Sequence, residues 1–375
     1  MANWTKYQFF LASMMLVTGS LNTLSTKWAD NTKAVGIDDG IPRKFDHPFL
    51  QAVGMFMGEL SCLLAFNILY FYRKKKDVPM ELGDQTFNRL IFLPAAMLDM
   101  CGTSLMYVGL NLTFASSFQM LRGAVIIFTA LLSVAFLRSR IRIYMWIGMM
   151  LIVFGLLFVG VSDVMFGGTS TGTGLNGIIS GDLLIIMAQI IVATQMVYEQ
   201  KFIMKYNVPA LQAVGWEGFF GASVLGLLLI PMYYIHVGHP FSTDPNGRLE
   251  NVYDAFAKMG HSWQLILAVV GNIVSIAFFN FSGISVMKEM NATTRMVLDS
   301  CRTVVIWVVS LSVGWQAFTW QSFLLQSFGF VLLIGGTFVY NNVIFAPFLV
   351  RHNCLRPEDE DRLSESEPGI LFSVS

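Results

Sequence analysis

Charge is the scarcest commodity in this chain. Only 13% of its 375 residues are Asp, Glu, Lys or Arg, against roughly 25% in an ordinary soluble domain. The shortage excludes a solvated globular fold for most of the length. With 55% hydrophobic residues and a mean hydropathy of +0.60 it places the chain in the membrane class. The 24 basic and 24 acidic residues cancel, so no net field draws the protein to nucleic acid. Cysteine is also scarce. Cys62, Cys101 and Cys301 sit in apolar runs and Cys354 in a polar tail, which excludes a disulfide framework and a CxxC metal pattern. The apolar runs pair no nucleophile with a base and gather no metal ligands, so no enzyme activity, metal or cofactor is expected. Gly172-Thr-Gly174-Leu-Asn-Gly177 has GxGxxG spacing without a preceding strand and reads as a connector. His236 and His239 share HxxH spacing with no acidic partner nearby and read as loop residues.

Long apolar sequence is what the chain has in abundance. Ten runs, with approximate limits 7–26, 48–72, 90–110, 113–137, 142–162, 180–205, 211–236, 264–287, 290–314 and 319–345, are long enough to cross the bilayer as helices. The first follows Lys6 but lacks a small-x-small cleavage site, and is read as a retained helix. With the N-terminus inside, fifteen of the 24 Lys and Arg face the cytosol. Six, Lys27, Lys33, Arg43, Lys44, Arg248 and Lys258, face the other side, so both termini are expected to be cytosolic. The connections 27–47 and 241–260 read as polar covers with little chemistry of their own.

The chain also repeats itself. Pro48-Phe-Leu50-Gln51-Ala52-Val53-Gly54 and Pro209-Ala-Leu211-Gln212-Ala213-Val214-Gly215 open the second and seventh runs with the same LQAVG block. Gly148 and Gly155 in the fifth run match Gly329 and Gly336 in the tenth, and Arg122 precedes Arg302 by 180 residues. Two units of five helices follow, and an odd number per unit inverts the second in the membrane. The expected fold is therefore an all-α polytopic membrane protein of ten helices in two inverted repeats. The first repeat covers 1–162, a non-cytosolic linker 163–179, the second repeat 180–348, and an acidic, disordered cytosolic tail 349–375.

Arg122 stands near the middle of Ala115–Phe136. A charge at the centre of a membrane helix costs roughly 2.5–3.5 kcal/mol on insertion scales, and is retained where it faces a protein interior or a watery cavity. Other polar groups share the spans: Glu59, Asp99, Gln119, Gln189, Gln195, Glu217, Asn272, Asn280, Arg295, Asp299 and Arg302. Arg295, Asp299 and Arg302 fall on one helical face at i, i+4 and i+7, which leaves a local positive surplus. Each could instead be a tie between helices, Arg122 with Glu59 or Asp99 for example.

Ala115-Ser-Ser-Phe118-Gln119, followed by Thr129-Ala130-Leu131-Leu132-Ser133-Val134, resembles the fourth helix of the drug/metabolite transporter superfamily. The likeness is strongest to nucleotide-sugar transporters of solute carrier family 35. The block Gln119–Phe128, with Thr294–Ser300 and Arg302–Trp307, resembles its F subfamily. The resemblance implies ten helices in two inverted repeats, a central polar cavity, alternating access, and exchange of a nucleotide sugar for a nucleoside monophosphate in Golgi or endoplasmic-reticulum membranes. Gln119 matches a polar position of those carriers. The lysine that several place one turn on corresponds to Val125, and this chain has Arg122 instead.

The expected function is secondary transport of a polar small molecule, anionic or nucleotide-linked. Arg122 and Arg302 would contact its anionic groups, and Gln119 and Asn272 would orient it. Asp299 would hold or release Arg302, while Glu59, Asp99, Glu217 and Arg295 would pair or gate. A membrane scaffold with a vestigial transport fold is the alternative. The lipid bilayer is the surrounding partner, and a homodimer is compatible with the sequence. Ser364-Glu365-Ser366-Glu367-Pro-Gly-Ile370-Leu371 resembles an acidic dileucine sorting signal. It places lysosomal or late endosomal membranes first and Golgi second, while an internal signal would leave mitochondria open.

Overall fold

The computed structural model describes residues 5–37, 40–76, 88–137, 143–166, 174–203, 208–237, 242, 244–289, 292–315 and 320–340. Helices run α1 (Lys6–Asn31), α2 (Pro48–Lys75), α3 (Phe92–Leu112), α4 (Ala115–Leu121), α5 (Ala124–Leu137), α6 (Ile143–Phe166), α7 (Gly174–Ile203), α8 (Ala210–Tyr234), α9 (Val252–His261), α10 (Trp263–Glu289), α11 (Ala292–Ser312) and α12 (Trp320–Tyr340). Local chemistry sets several ends. Thr5 and Gln8 form a capping box at the start of α1, each side chain accepting the other's backbone N–H at 3.2 and 3.0 Å. Pro48 opens α2, where a missing N–H costs nothing, and Arg73, Lys74 and Lys75 close it where cations complement the helix dipole.

Among the described residues, eight helices are long and apolar enough to cross a membrane, and Ala124–Phe136 and Cys301–Ser312 are shorter apolar stretches. The molecule is an all-α polytopic membrane protein.

Three departures from the sequence reading bear on the site. The run 113–137 is two helices, because the ladder after Leu121 shifts from i→i+4 to i→i+3 bonding. Gly123 N–H donates to the Met120 carbonyl (3.0 Å), Val125 to Arg122 (3.1 Å) and Ile126 to Gly123 (3.2 Å). A Cβ on Gly123 would stand 3.1 Å from the Met120 carbonyl and 3.4 Å from Leu333, so the tight turn suits glycine. The connection 241–260 contains α9, a helix with one apolar and one charged face. Lys27, expected in a loop, lies inside α1 and is buried.

Small residues set the closest contacts. A Cβ on Gly148 would fall 2.6 Å from Tyr340 N and 2.8 Å from the Gly336 carbonyl, and one on Gly155 would fall 2.7 Å from the Gly329 carbonyl, so α6 and α12 meet backbone to backbone. Ser162 and Ser322 add a hydroxyl pair at 3.1 Å. Likewise Gly215 and Gly218 of α8 lie against the Leu63 and Leu60 amides of α2, leaving a Cβ only 2.6 and 2.5 Å of room. The neighbour relations form matched sets: α1 packs on α10 and α11, α7 on α3 and α5; α2 packs on α8 and α10, α8 on α2 and α3; α6 and α12 pair with each other. At the end where α1 stops, β1 (Lys33–Val35) and β2 (Pro42–Lys44) form a small antiparallel hairpin with Ala34 opposite Arg43, and α9 packs on it.

Candidate functional site

Arg302 is buried at the heart of this packing. Its guanidinium lies 4.8 Å from the Phe279 ring centroid of α10 and fits against α1 because residue 19 is glycine; a Cβ there would stand 2.7 Å from Nη1. Asp299, one turn earlier and 38% exposed at its side chain, stands 3.7 Å from Nη2, beyond hydrogen-bond distance. Arg122 occupies the break between α4 and α5. Its N–H donates to the Phe118 carbonyl at 3.2 Å, and its guanidinium stands 5.7 Å from the Phe118 ring centroid. It lies within electrostatic range of Arg302, Asp299 and Tyr107. The structure therefore brings together Arg122, Arg302 and Asp299 from sequence positions up to 180 residues apart. Phosphate or carboxylate would match the planar donor forks of the two guanidiniums.

Beside this cluster runs a buried polar network. Asn272 of α10 accepts from Asn22 of α1 (2.6 Å) and from the Tyr107 hydroxyl of α3 (3.2 Å), and donates to the Gln51 carbonyl of α2 (3.4 Å). Gln51 donates to Asp30 at 2.7 Å, and the Lys27 ammonium donates to the Leu110 and Thr113 carbonyls at 2.6 and 2.5 Å, closing the end of α3. Asn272 thus ties α1, α2, α3 and α10 together next to the arginines.

Glu59 accepts from Asn280 at 3.1 Å, and Asp99 accepts from Thr103 of its own helix at 2.9 Å. Glu217 is buried in α8, beside the Gly218 contact with α2. The side chains of Gln119 and Arg295, His239, and the whole of Ile370 and Leu371 lie outside the described residues. Sequence reasoning passed over Lys27, Asp30, Gln51 and Tyr107. Asn22, Thr26 and Asp30, four apart on one face of α1, were the available signal. It also passed over His47, Glu250, Asp254 and Lys258, a buried cluster where the connections had been expected to hold little chemistry.

Polar side chains gathered inside an apolar helical bundle, with one helix interrupted at an arginine, are features that multi-pass membrane transporters use. The EamA-like transporter family model matches residues 39–161. Solute carrier family 35 member F6 of Homo sapiens is 56% identical over 364 residues, 97% of this chain and 96% of that protein. Its Rattus norvegicus counterpart is 53% identical over 373 residues, 98% of each. An uncharacterized Schizosaccharomyces pombe protein is 34% identical over 340 residues, 90% of this chain and 98% of its own. The chain belongs to solute carrier family 35, alongside the member F6 proteins of its F subfamily. A crystal structure covering 90% of this chain and 98% of its own shares the fold at a TM-score of 0.52 and 13% identity.

Proposed function

We propose that the protein is a secondary transporter that carries a polar, anionic or nucleotide-linked metabolite by alternating access. The observation that carries this reading is the meeting of Arg122 and Arg302 in the bundle interior, with Asp299 as their weakly held counter-charge. Arg302 and its packing partner Phe279 come from the second half of the chain, Gly19 and Arg122 from the first, so the anion site belongs to the junction of the halves. The matched neighbour sets support ten spans in two inverted repeats, 1–162 and 180–348. Exchanging α1 with α7, α2 with α8, α3 with α10, α4–α5 with α11 and α6 with α12 turns the α1–α10 contact into α7–α3, and α1–α11 into α7–α5. Rocking of one repeat on the other would then expose the site to each side in turn. Glycine seams at α6–α12 and α2–α8 can slide without unpacking bulky side chains. Both termini face the cytosol in this reading, and the membrane is an endomembrane, lysosomal or late endosomal ahead of Golgi.

A thermal-shift screen of purified protein against nucleotides, nucleotide sugars and organic anions tests the site directly. A ligand at a hundredfold excess over Kd stabilises the state it binds by about 2.7 kcal/mol. At least one anion should raise the wild-type midpoint, and Arg302→Ala should abolish the rise. No response to any anion, or a rise in Arg122→Ala and Arg302→Ala as large as in the wild type, defeats the reading.

A further inference from the structure

The end of the bundle where α1 stops and α2 begins carries a second buried charge cluster, outside the Arg122–Arg302 site. His47, the residue before α2, is 3% exposed and lies between two carboxylates. Its Nδ1 stands 2.7 Å from Glu250 Oε1 and its Nε2 3.3 Å from Asp254 Oδ2. Glu250 Oε2 also accepts the first-turn amides of α2, Phe49 N–H at 3.1 Å and Leu50 N–H at 3.3 Å. Asp254 Oδ1 accepts Ile37 N–H at 3.0 Å, and Lys258 donates to Asp254 Oδ2 (2.8 Å) and to the Lys44 carbonyl (3.2 Å). The α9 segment is thereby pinned to the hairpin and to the head of α2, across more than 200 residues of sequence. Ala34, Phe45, Ala255 and Leu265 pack beneath the seam.

A neutral imidazole has one N–H and one lone pair, so it can satisfy only one of two facing carboxylates. An imidazolium satisfies both. The third N–H of Lys258, 3.4 Å from Nε2, could serve the neutral ring, but the ring lone pair would then face the Asp254 carboxylate oxygen at 3.3 Å, a contact that only the imidazolium turns into a hydrogen bond. With imidazolium the buried group is balanced, His47 and Lys258 against Glu250 and Asp254; without that proton one negative charge is left in excess. The charges on neighbouring elements include Lys27 and Asp30 on α1, Lys33 on β1, Arg43 and Lys44 on β2, and Asp46, whose carboxylate takes the Asn111 amide of α3.

We propose that His47 is a proton-binding site that locks this end of the bundle, so that acidity on this face holds the α9 segment on the hairpin and rising pH loosens it. The inference stands independently of the transport reading.

The energetics agree in sign. Burial alone would lower the imidazole's affinity for its proton, but Glu250 and Asp254 outweigh it and the pKa lies above the ordinary 6.5. At Asp254, burial is outweighed by the bonds from His47, Lys258 and the Ile37 amide, and its pKa lies well below the usual carboxylate range. A raised histidine contributes fully below its unfolded value of 6.5 and loses that contribution as pH rises through its folded value. Asp254 contributes above 3.8 and loses its contribution only as pH falls below that, so the lock is fully formed between those two values.

Hydrogen exchange of the purified full-length protein between about pH 5.5 and about pH 8.5 reads the lock, on peptides containing Ile37, Phe49 and Leu50 and on the α9 segment. After correction for the chemical exchange rate, wild-type protection should be flat at the acid end. It should then fall by up to about tenfold per pH unit toward alkaline pH. His47→Gln, which cannot titrate, should remove the fall, and Glu250→Gln, which lowers only the folded value, should make the fall end at lower pH and be smaller. A flat wild-type profile, or a His47→Gln profile with the wild-type slope, overturns the proposal. Should His47→Gln fail to fold, a fall of wild-type size in Glu250→Gln overturns it equally.

Discussion

A buried ammonium needs partners that replace its water, and Lys27 finds them in the last carbonyls of α3, which have no helical donors of their own. In the sequence it stands just past the apolar run and looks like a solvated loop lysine. Nothing local distinguishes the two cases, because its partners lie 83 and 86 residues away. The same holds for His47 and Glu250. Arg122 and Arg302 were legible for the opposite reason, since a guanidinium inside an apolar run is conspicuous from composition alone. Lys27→Met keeps the length and removes the donor, leaving two buried carbonyls bare. The thermal midpoint in detergent should fall by the equivalent of about 1–3 kcal/mol, and an unchanged midpoint would show that water or another donor serves those carbonyls.

Helix positions were legible because a span must be some twenty apolar residues long, and the limits read from hydropathy fall close to those of most of the helices. The break at Arg122–Gly123 was not, since a glycine within an apolar run changes hydropathy little and only the neighbouring Leu333 and Met120 explain why it is needed. Nor was α9, whose alternation of Tyr253 and Phe256 with Asp254 and Lys258 sits in an otherwise polar stretch. The glycines of α6 and α12 were visible as a spacing, and the structure turns that spacing into an interface. Gly155→Leu must push its side chain into the Gly329 carbonyl and Leu333, whereas a Cβ added at Gly160 would meet nothing within 4 Å. Gly155→Leu should therefore lower the thermal midpoint by the equivalent of about 1–3 kcal/mol or more, and Gly160→Leu should leave it near wild type. Equal effects from the two would place the α6–α12 contact elsewhere.

At the scale of the molecule, the repeated LQAVG block and the matched glycine pairs mark helices that meet, α2 with α8 and α6 with α12. They say nothing about cargo, which depends on a few side chains at the junction. Arg122 and Arg302 are proposed as the anion-binding pair at that junction. Uptake by proteoliposomes of radiolabelled nucleotides, nucleotide sugars and organic anions measures that claim most directly. Each lost charge-assisted contact is worth about 1.5–3 kcal/mol, or about ten- to hundredfold in affinity. Wild-type protein should accumulate at least one of these anions, and Arg122→Ala and Arg302→Ala should each cut its uptake by about ten- to hundredfold. No anion uptake by the wild type, or undiminished uptake by both variants, would contradict it.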